Sequence, residues 1–275
     1  MGWERSSSVN MISVHKWSRE TSGCSDQGLI ERKNALMNSD FGRANTVADV
    51  RPLNAGELLS ALHLKFADNF NGSRSMHTQA IEVERQARSL AGTSSQLQRL
   101  SSNSPHQFAL IKCLDEIFGD SMCALYLACC GMTVPARMLL RRSLELGLVV
   151  VAYWDSPVDY WNWQEHDEDI RFSTLFAHLQ SPAYKTMCQQ QFPVSSVDSS
   201  DSLNSLEKLY KDLSNVVHPK PYNFSTAGAT AYSFQSADMT KTLAYASQIL
   251  SVISITLAAR FASLSSICDP ESEKK

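Results

Sequence analysis

Residues 135–154, PARMLLRRSLELGLVVVAYW, decide the reading of this chain. The stretch is apolar on nearly every side of a helix, yet it carries Arg137, Arg141, Arg142 and Glu145. At about 100° per residue, Arg137, Arg141 and Glu145 fall on one stripe, with Arg142 at its edge. A helix apolar all round is buried, and buried charges are costly unless they are paired. The expectation is a helical core with a polar Arg/Glu cluster inside it or at its mouth. Two uses compete for that cluster. Arg141 and Glu145 stand i,i+4 and can simply neutralise each other, or one guanidinium stays open to grip a phosphate or carboxylate bidentately.

The neighbouring segments on both sides read as helices. Ser104-Pro105 is a start signal, and the apolar run FALIKCLDEIFGDSMCALYLACC continues to Gly131, which can end a helix in the left-handed conformation. The link to Thr133, the expected cap of the next helix, is short, so the two form an antiparallel hairpin. Ser156-Pro157 opens a helix expected to run through VDYWNWQEHDEDIRFSTLFAHLQ, and Ser181-Pro182 opens a shorter one to about 191. A polar loop over 194–202 precedes LNSLEKLYKDLSNVV, whose Leu203, Leu206, Tyr210, Leu213 and Val217 share one face. His218-Pro219 stops that helix, an aromatic loop occupies 219–235, and a last helix runs from 236 to about 264.

Upstream, helices are expected over 54–69, 75–90 and 93–100, and a partly ordered arm with Trp3 and Trp17 over 1–52. No segment alternates long enough to demand a strand, so the chain reads as all-α. Its organisation is an arm at 1–52, an accessory helical layer at 53–103, a helical bundle at 104–264 and a tail at 265–275.

Composition narrows the classes. Net charge is −3, which gives no global basic field to draw in nucleic acid. Seven cysteines without a CxxC pair argue against a disulfide framework or zinc site and for a reducing, cytoplasmic setting. The N-terminal residues contain no apolar run of the secretory kind. Residues 242–259 are uncharged and long enough to span a bilayer, but six of them are Ser, Thr or Gln, so they read as a core helix and no membrane is expected. P-loop, GxGxxG, GxSxG and HExxH patterns are absent, which removes the commonest nucleotide, hydrolase and metalloprotease readings. No cofactor is expected.

Two further constellations stand out. Glu207, Lys211, Ser214 and His218 form a helical stripe about 90° from the apolar one, where a cleft lining would sit. Tyr210 lies between the stripes and can turn its hydroxyl to the same side. The plainer reading is a helix flank closed by a histidine that the helix dipole favours. Asp155, Asp159, His166 and Asp169, with Glu165, Asp167 and Glu168 among them, either bind a divalent cation or form a solvated face. The interleaved Tyr160, Trp161 and Trp163 make the opposite face a packing or docking surface.

The RRSLE segment at 141–145 and the YKDLSNVVHP segment at 210–219 together resemble paired signatures of bacterial helical-bundle proteins. These are similar to the HEPN (higher eukaryotes and prokaryotes nucleotide-binding) superfamily, and the resemblance covers about 104–264. It implies a homodimer in a bacterial stress or phage-defence setting that binds RNA. An Arg-x4–6-His motif near a helix end would cleave that RNA without metal, making any enzyme an endoribonuclease. By that likeness His218 acts as acid and base, Arg141 or Arg142 and Lys211 stabilise phosphorane charge, and Glu145 orients a cation or the histidine. Arg137, Glu207, Tyr210, Ser214 and Tyr222 would line the binding surface. The chain departs from the motif in one place: Lys211 stands where the arginine belongs and supplies charge without the planar fork. The alternative function is a non-catalytic interaction module that docks a partner protein through Trp161, Trp163 and the 219–235 loop. A bundle holding a small anion at its arginines is the third.

Overall fold

A computed structural model of the chain describes residues 55–101, 104–166, 169, 171–191, 199–217, 234–261 and 264. All regular structure among them is helical. In order come α1 (Ala55–Gly72), a 3₁₀ turn (Ser73–Met76), α2 (His77–Gly92), α3 (Ser94–Leu100), α4 (Pro105–Cys129) and α5 (Thr133–Tyr153). Then follow α6 (Pro157–Glu165), α7 (Phe172–Gln180), α8 (Pro182–Gln191), α9 (Ser199–Val217) and α10 (Ser236–Arg260). The arm at 1–52, most of the aromatic loop and the tail at 265–275 lie outside the described residues.

The hairpin of α4 and α5 is the frame. Gly131 turns it with φ +82, and the Met132 amide donates back to the Leu127 carbonyl at 2.8 Å. Buried Asn69 clamps this turn: its Nδ2 donates to the Cys130 carbonyl at 2.8 Å, and its Oδ1 accepts from the Phe234 amide at 3.1 Å. At the other end, Pro105 occupies the first turn of α4 as expected, but Ser104 does not cap the helix with its hydroxyl. That hydroxyl contacts His106 Nδ1 at 2.5 Å, while His106 Nε2 and Gln107 Nε2 donate to the Trp154 carbonyl at 3.0 and 3.2 Å. The first turn of α4 thus satisfies an orphan carbonyl at the end of α5.

The core forms around α5, whose C-terminal half, Leu146–Ala152, is buried on every side. Leu140, Leu144, Leu148 and the run Val149–Val150–Val151 are all buried. α10 lies against it so closely that a Cβ at Gly147 would sit 2.5 Å from Ile253 Cγ1. α10 also packs on α2, α4 and α9. Among the described residues it is the helix long and apolar enough to cross a membrane, with mean hydropathy 1.5, but 61% of that window is buried inside the protein. α2 sinks Val83, Ala87 and Leu90 into the same core, against α4 and α10, so the helices upstream of 104 share it.

Several boundaries differ from the sequence reading: upstream, α1 runs on to Gly72 and a 3₁₀ turn delays α2 to His77. The single helix expected from 157 to 180 is two helices, Pro157–Glu165 and Phe172–Gln180, and the sequence between them opens on four consecutive polar or charged residues, 166–169, that offer no apolar face to bury. α9 starts at Ser199, inside the stretch expected as loop, and α10 stops at Arg260 rather than near 264.

Candidate functional site: an Arg–Tyr–Glu cluster between α5 and α9

α9 docks on α5 through buried Leu206, Leu209 and Leu213, and the Tyr245 hydroxyl of α10 donates to Asp212 Oδ2 at 3.1 Å to fix it sideways. This rotation turns Tyr210 toward the Arg stripe of α5. Arg141 Nε donates to Glu145 Oε1 at 3.0 Å and Arg141 Nη2 donates to the Tyr210 hydroxyl at 2.8 Å. The Tyr210 hydroxyl donates in turn to Glu145 Oε1 at 3.1 Å, closing a three-membered polar ring. The Arg141 guanidinium carbon also lies 4.9 Å from the centre of the Tyr210 ring. Phe172, the first residue of α7, stacks flat on Tyr210 with centroids 3.7 Å apart and an interplanar angle of 6°.

Arg141 and Glu145 keep 20% and 21% of their side chains exposed, so the ring sits at the mouth of the core rather than in it. Burial, and then the Glu145 charge, push the Tyr210 phenol above its ordinary value, with Arg141 opposing. Tyr210 therefore stays a neutral donor at physiological pH. Arg141 Nη1 makes no hydrogen bond among the described residues, so the guanidinium retains donors that an anion could use.

The other predicted residues separate. Arg142, one residue along and therefore about 100° round the helix, turns to α4. Its Nη1 donates to both Asp120 carboxylate oxygens at 2.7 Å and its Nη2 to Glu116 Oε2 at 3.0 Å. Burial holds Asp120 above the usual carboxylate range even with Arg142 beside it. Arg137 is buried and reaches α10, where it meets Thr242 Oγ1 at 3.2 Å and the Asp238 carbonyl and Oδ1 at 3.3 and 3.4 Å. Arg137 and Arg142 therefore tie helices together, and neither joins Arg141 in one anion grip. Glu207 and Lys211 are exposed on α9, and half-buried Ser214 lies one turn beyond Tyr210. His218 and Tyr222 lie outside the described residues.

Of the two readings of the acidic cluster, the described residues do not support the divalent-cation one. Asp155 is taken by Arg260 of α10, whose Nη2 donates to its two carboxylate oxygens at 2.8 and 2.6 Å and whose Nε adds a third bond at 3.0 Å. Asp159 accepts from the Ser156 hydroxyl. Among the described residues no three His, Cys, Asp or Glu side chains gather as metal ligands. Trp161 and Trp163 both meet Tyr160 edge-on, but Trp163 packs on Tyr153 as well, while Trp161 leaves 42% of its surface exposed. Phe172 was not singled out from the sequence. Its apolar character was visible, but nothing local tells which ring it will meet.

No protein-family model matches the chain, and no characterised protein and no solved structure matches it either.

Proposed function

We propose that the chain is an RNA-binding protein of HEPN-like architecture over 104–264, acting as a homodimer in a bacterial stress or phage-defence role and cleaving RNA through His218. The observation that supports this reading is the 2.8 Å bond from Arg141 to Tyr210. It joins the two segments, RRSLE and YKDLSNVVHP, on which the resemblance rests, although they lie far apart in sequence. Tyr210 and His218 belong to the same segment, eight residues apart in the chain.

In this scheme Arg141 holds a scissile phosphate through the donors that Glu145 and Tyr210 leave open, and exposed Lys211 adds positive charge. His218 takes the proton from a ribose 2′-hydroxyl as the 2′-oxygen bonds phosphorus and the bond to the 5′-oxygen breaks, and an imidazolium returns a proton to that leaving oxygen. Arg142 has no part, since Asp120 and Glu116 occupy it.

Incubating the purified full chain with tRNA or total RNA tests the proposal. Cleavage is expected, and is expected to vanish in His218→Ala while RNA binding persists and to weaken together with binding in Arg141→Gln. Cleavage that survives His218→Ala, or neither cleavage nor binding by the native chain, sinks it. One observation favours a second reading, a non-catalytic docking module: Val158 and Trp161, three apart on α6, expose 68% and 42% of their surfaces. That reading expects a partner protein lost on Trp161→Ala and retained in His218→Ala.

A further inference from the structure

A cleft of about 520 Å³ opens where the end of α5 meets α6 and the start of α7. Its polar walls are Tyr153, Asp159, Asp169, Arg171, Thr174 and His178, and Leu175 lines its apolar side. The volume falls within the range of small-molecule sites. Thr174 and His178 stand i,i+4 on α7, one above the other on one side of the helix. Arg171 directly precedes that helix.

Elsewhere on this molecule partly buried charges of opposite sign find each other: Arg137 with Asp238, Arg142 with Asp120, and Arg260 with Asp155. In this cleft the charged side chains are exposed, and among the described residues they do not pair with one another. The side chains of Asp169 and Arg171, two residues apart, make no ion pair or hydrogen bond among the described residues. Among the described residues the His178 ring makes a tilted contact with Tyr184 at 5.3 Å and no ion pair. A concave wall thus carries a guanidinium and an imidazole together with two carboxylates, of which Asp159 accepts from the Ser156 hydroxyl, and no ion pair among the described residues joins the two signs across it. A simple anion would meet the repulsion of Asp159 and Asp169, and a simple cation that of Arg171. A ligand with both charges at separated ends meets neither.

We infer that this cleft binds a small zwitterion, its carboxylate or phosphate on Arg171 with His178, its ammonium on Asp169 with Asp159. The site is separate from the Arg141 cluster and does not depend on the RNA reading. Calorimetric titration of the full chain with ω-amino carboxylates of two to six carbons tests it, with acetate and methylammonium as half-ligands and phosphoethanolamine as the phosphate arm. One chain length is expected to bind at least about tenfold more tightly than either half-ligand, because two charge-assisted contacts act together. A tighter phosphoethanolamine isotherm assigns the anionic end to phosphate, and a tighter amino carboxylate isotherm assigns it to carboxylate. Arg171→Gln and Asp169→Asn are each expected to weaken the best probe about tenfold or more, with the melting temperature unchanged because both side chains are exposed. His218→Ala is expected to leave this binding intact even where it abolishes RNA cleavage. If no zwitterion outperforms its half-ligands, or if both cleft variants bind like the native chain, the inference is overturned.

Discussion

Tyr210→Phe removes one oxygen and leaves the ring, and so isolates the bridge between α5 and α9. The lost hydroxyl accepts from Arg141 at 2.8 Å and donates to Glu145 at 3.1 Å, both charged partners. A hydrogen bond to a charged group contributes about 1.5–3 kcal/mol net. Two such bonds do not double that figure here, because Arg141 and Glu145 each keep about a fifth of their side chain in water and retain their own 3.0 Å pair. The Phe172 stack survives in the variant. The expected loss is therefore near the lower end, about 1.5 kcal/mol, measured as a shift of the urea midpoint at unchanged slope. It corresponds to a fall in melting temperature of roughly 3–6 °C for a domain of this size. A double-mutant cycle with Arg141→Met should return a coupling of about 1 kcal/mol, since the two side chains touch. A loss below about 0.5 kcal/mol together with zero coupling would refute the view that this ring holds α9 to α5.

Two other expectations follow from the core. Gly147→Ala forces a methyl to within 2.5 Å of Ile253 and should cost about 1–3 kcal/mol in chemical denaturation, with most of it recovered by adding Ile253→Ala, which makes room for the methyl. Among the cysteines, burial pushes the Cys113 thiol up to about 11, whereas Cys123 is exposed. Alkylation at pH 8 followed by peptide mass mapping should label Cys123 in the native protein and Cys113 only after unfolding, because a thiol whose pKa lies well above the solution pH holds almost no reactive thiolate. Equal labelling of the two in native protein would contradict the packing of α4.

The sequence carried the helices well where local signals decide them. Pro105, Pro157 and Pro182 each open a helix, Gly131 takes the left-handed turn, and α10 is a core helix despite its apolar length. What it could not carry is azimuth across helix pairs. Arg137, Arg141 and Glu145 do share a stripe, as about 100° per residue requires, yet α10 covers one end of that stripe and α9 the other. Likewise the Arg141–Glu145 pair was visible as i,i+4, but that Arg142 belongs to Asp120 depends on how α4 is rotated. The break between α6 and α7 carries no proline or glycine, so its only local signal is the polar run 166–169. Leu209 was passed over for the same reason as Phe172: its burial depends on which helix arrives beside it.

The seat of α10 between α2 and α5 has a consequence for how the protein is made. Its two neighbours leave the ribosome long before it does, and at 5–20 residues per second the interval is of the order of ten seconds. Throughout that time the apolar wall around Gly147, shaped to take Ile253, faces water with nothing against it. The nascent chain is then at its most prone to clump, and a chaperone that shields such surfaces would matter most in that window.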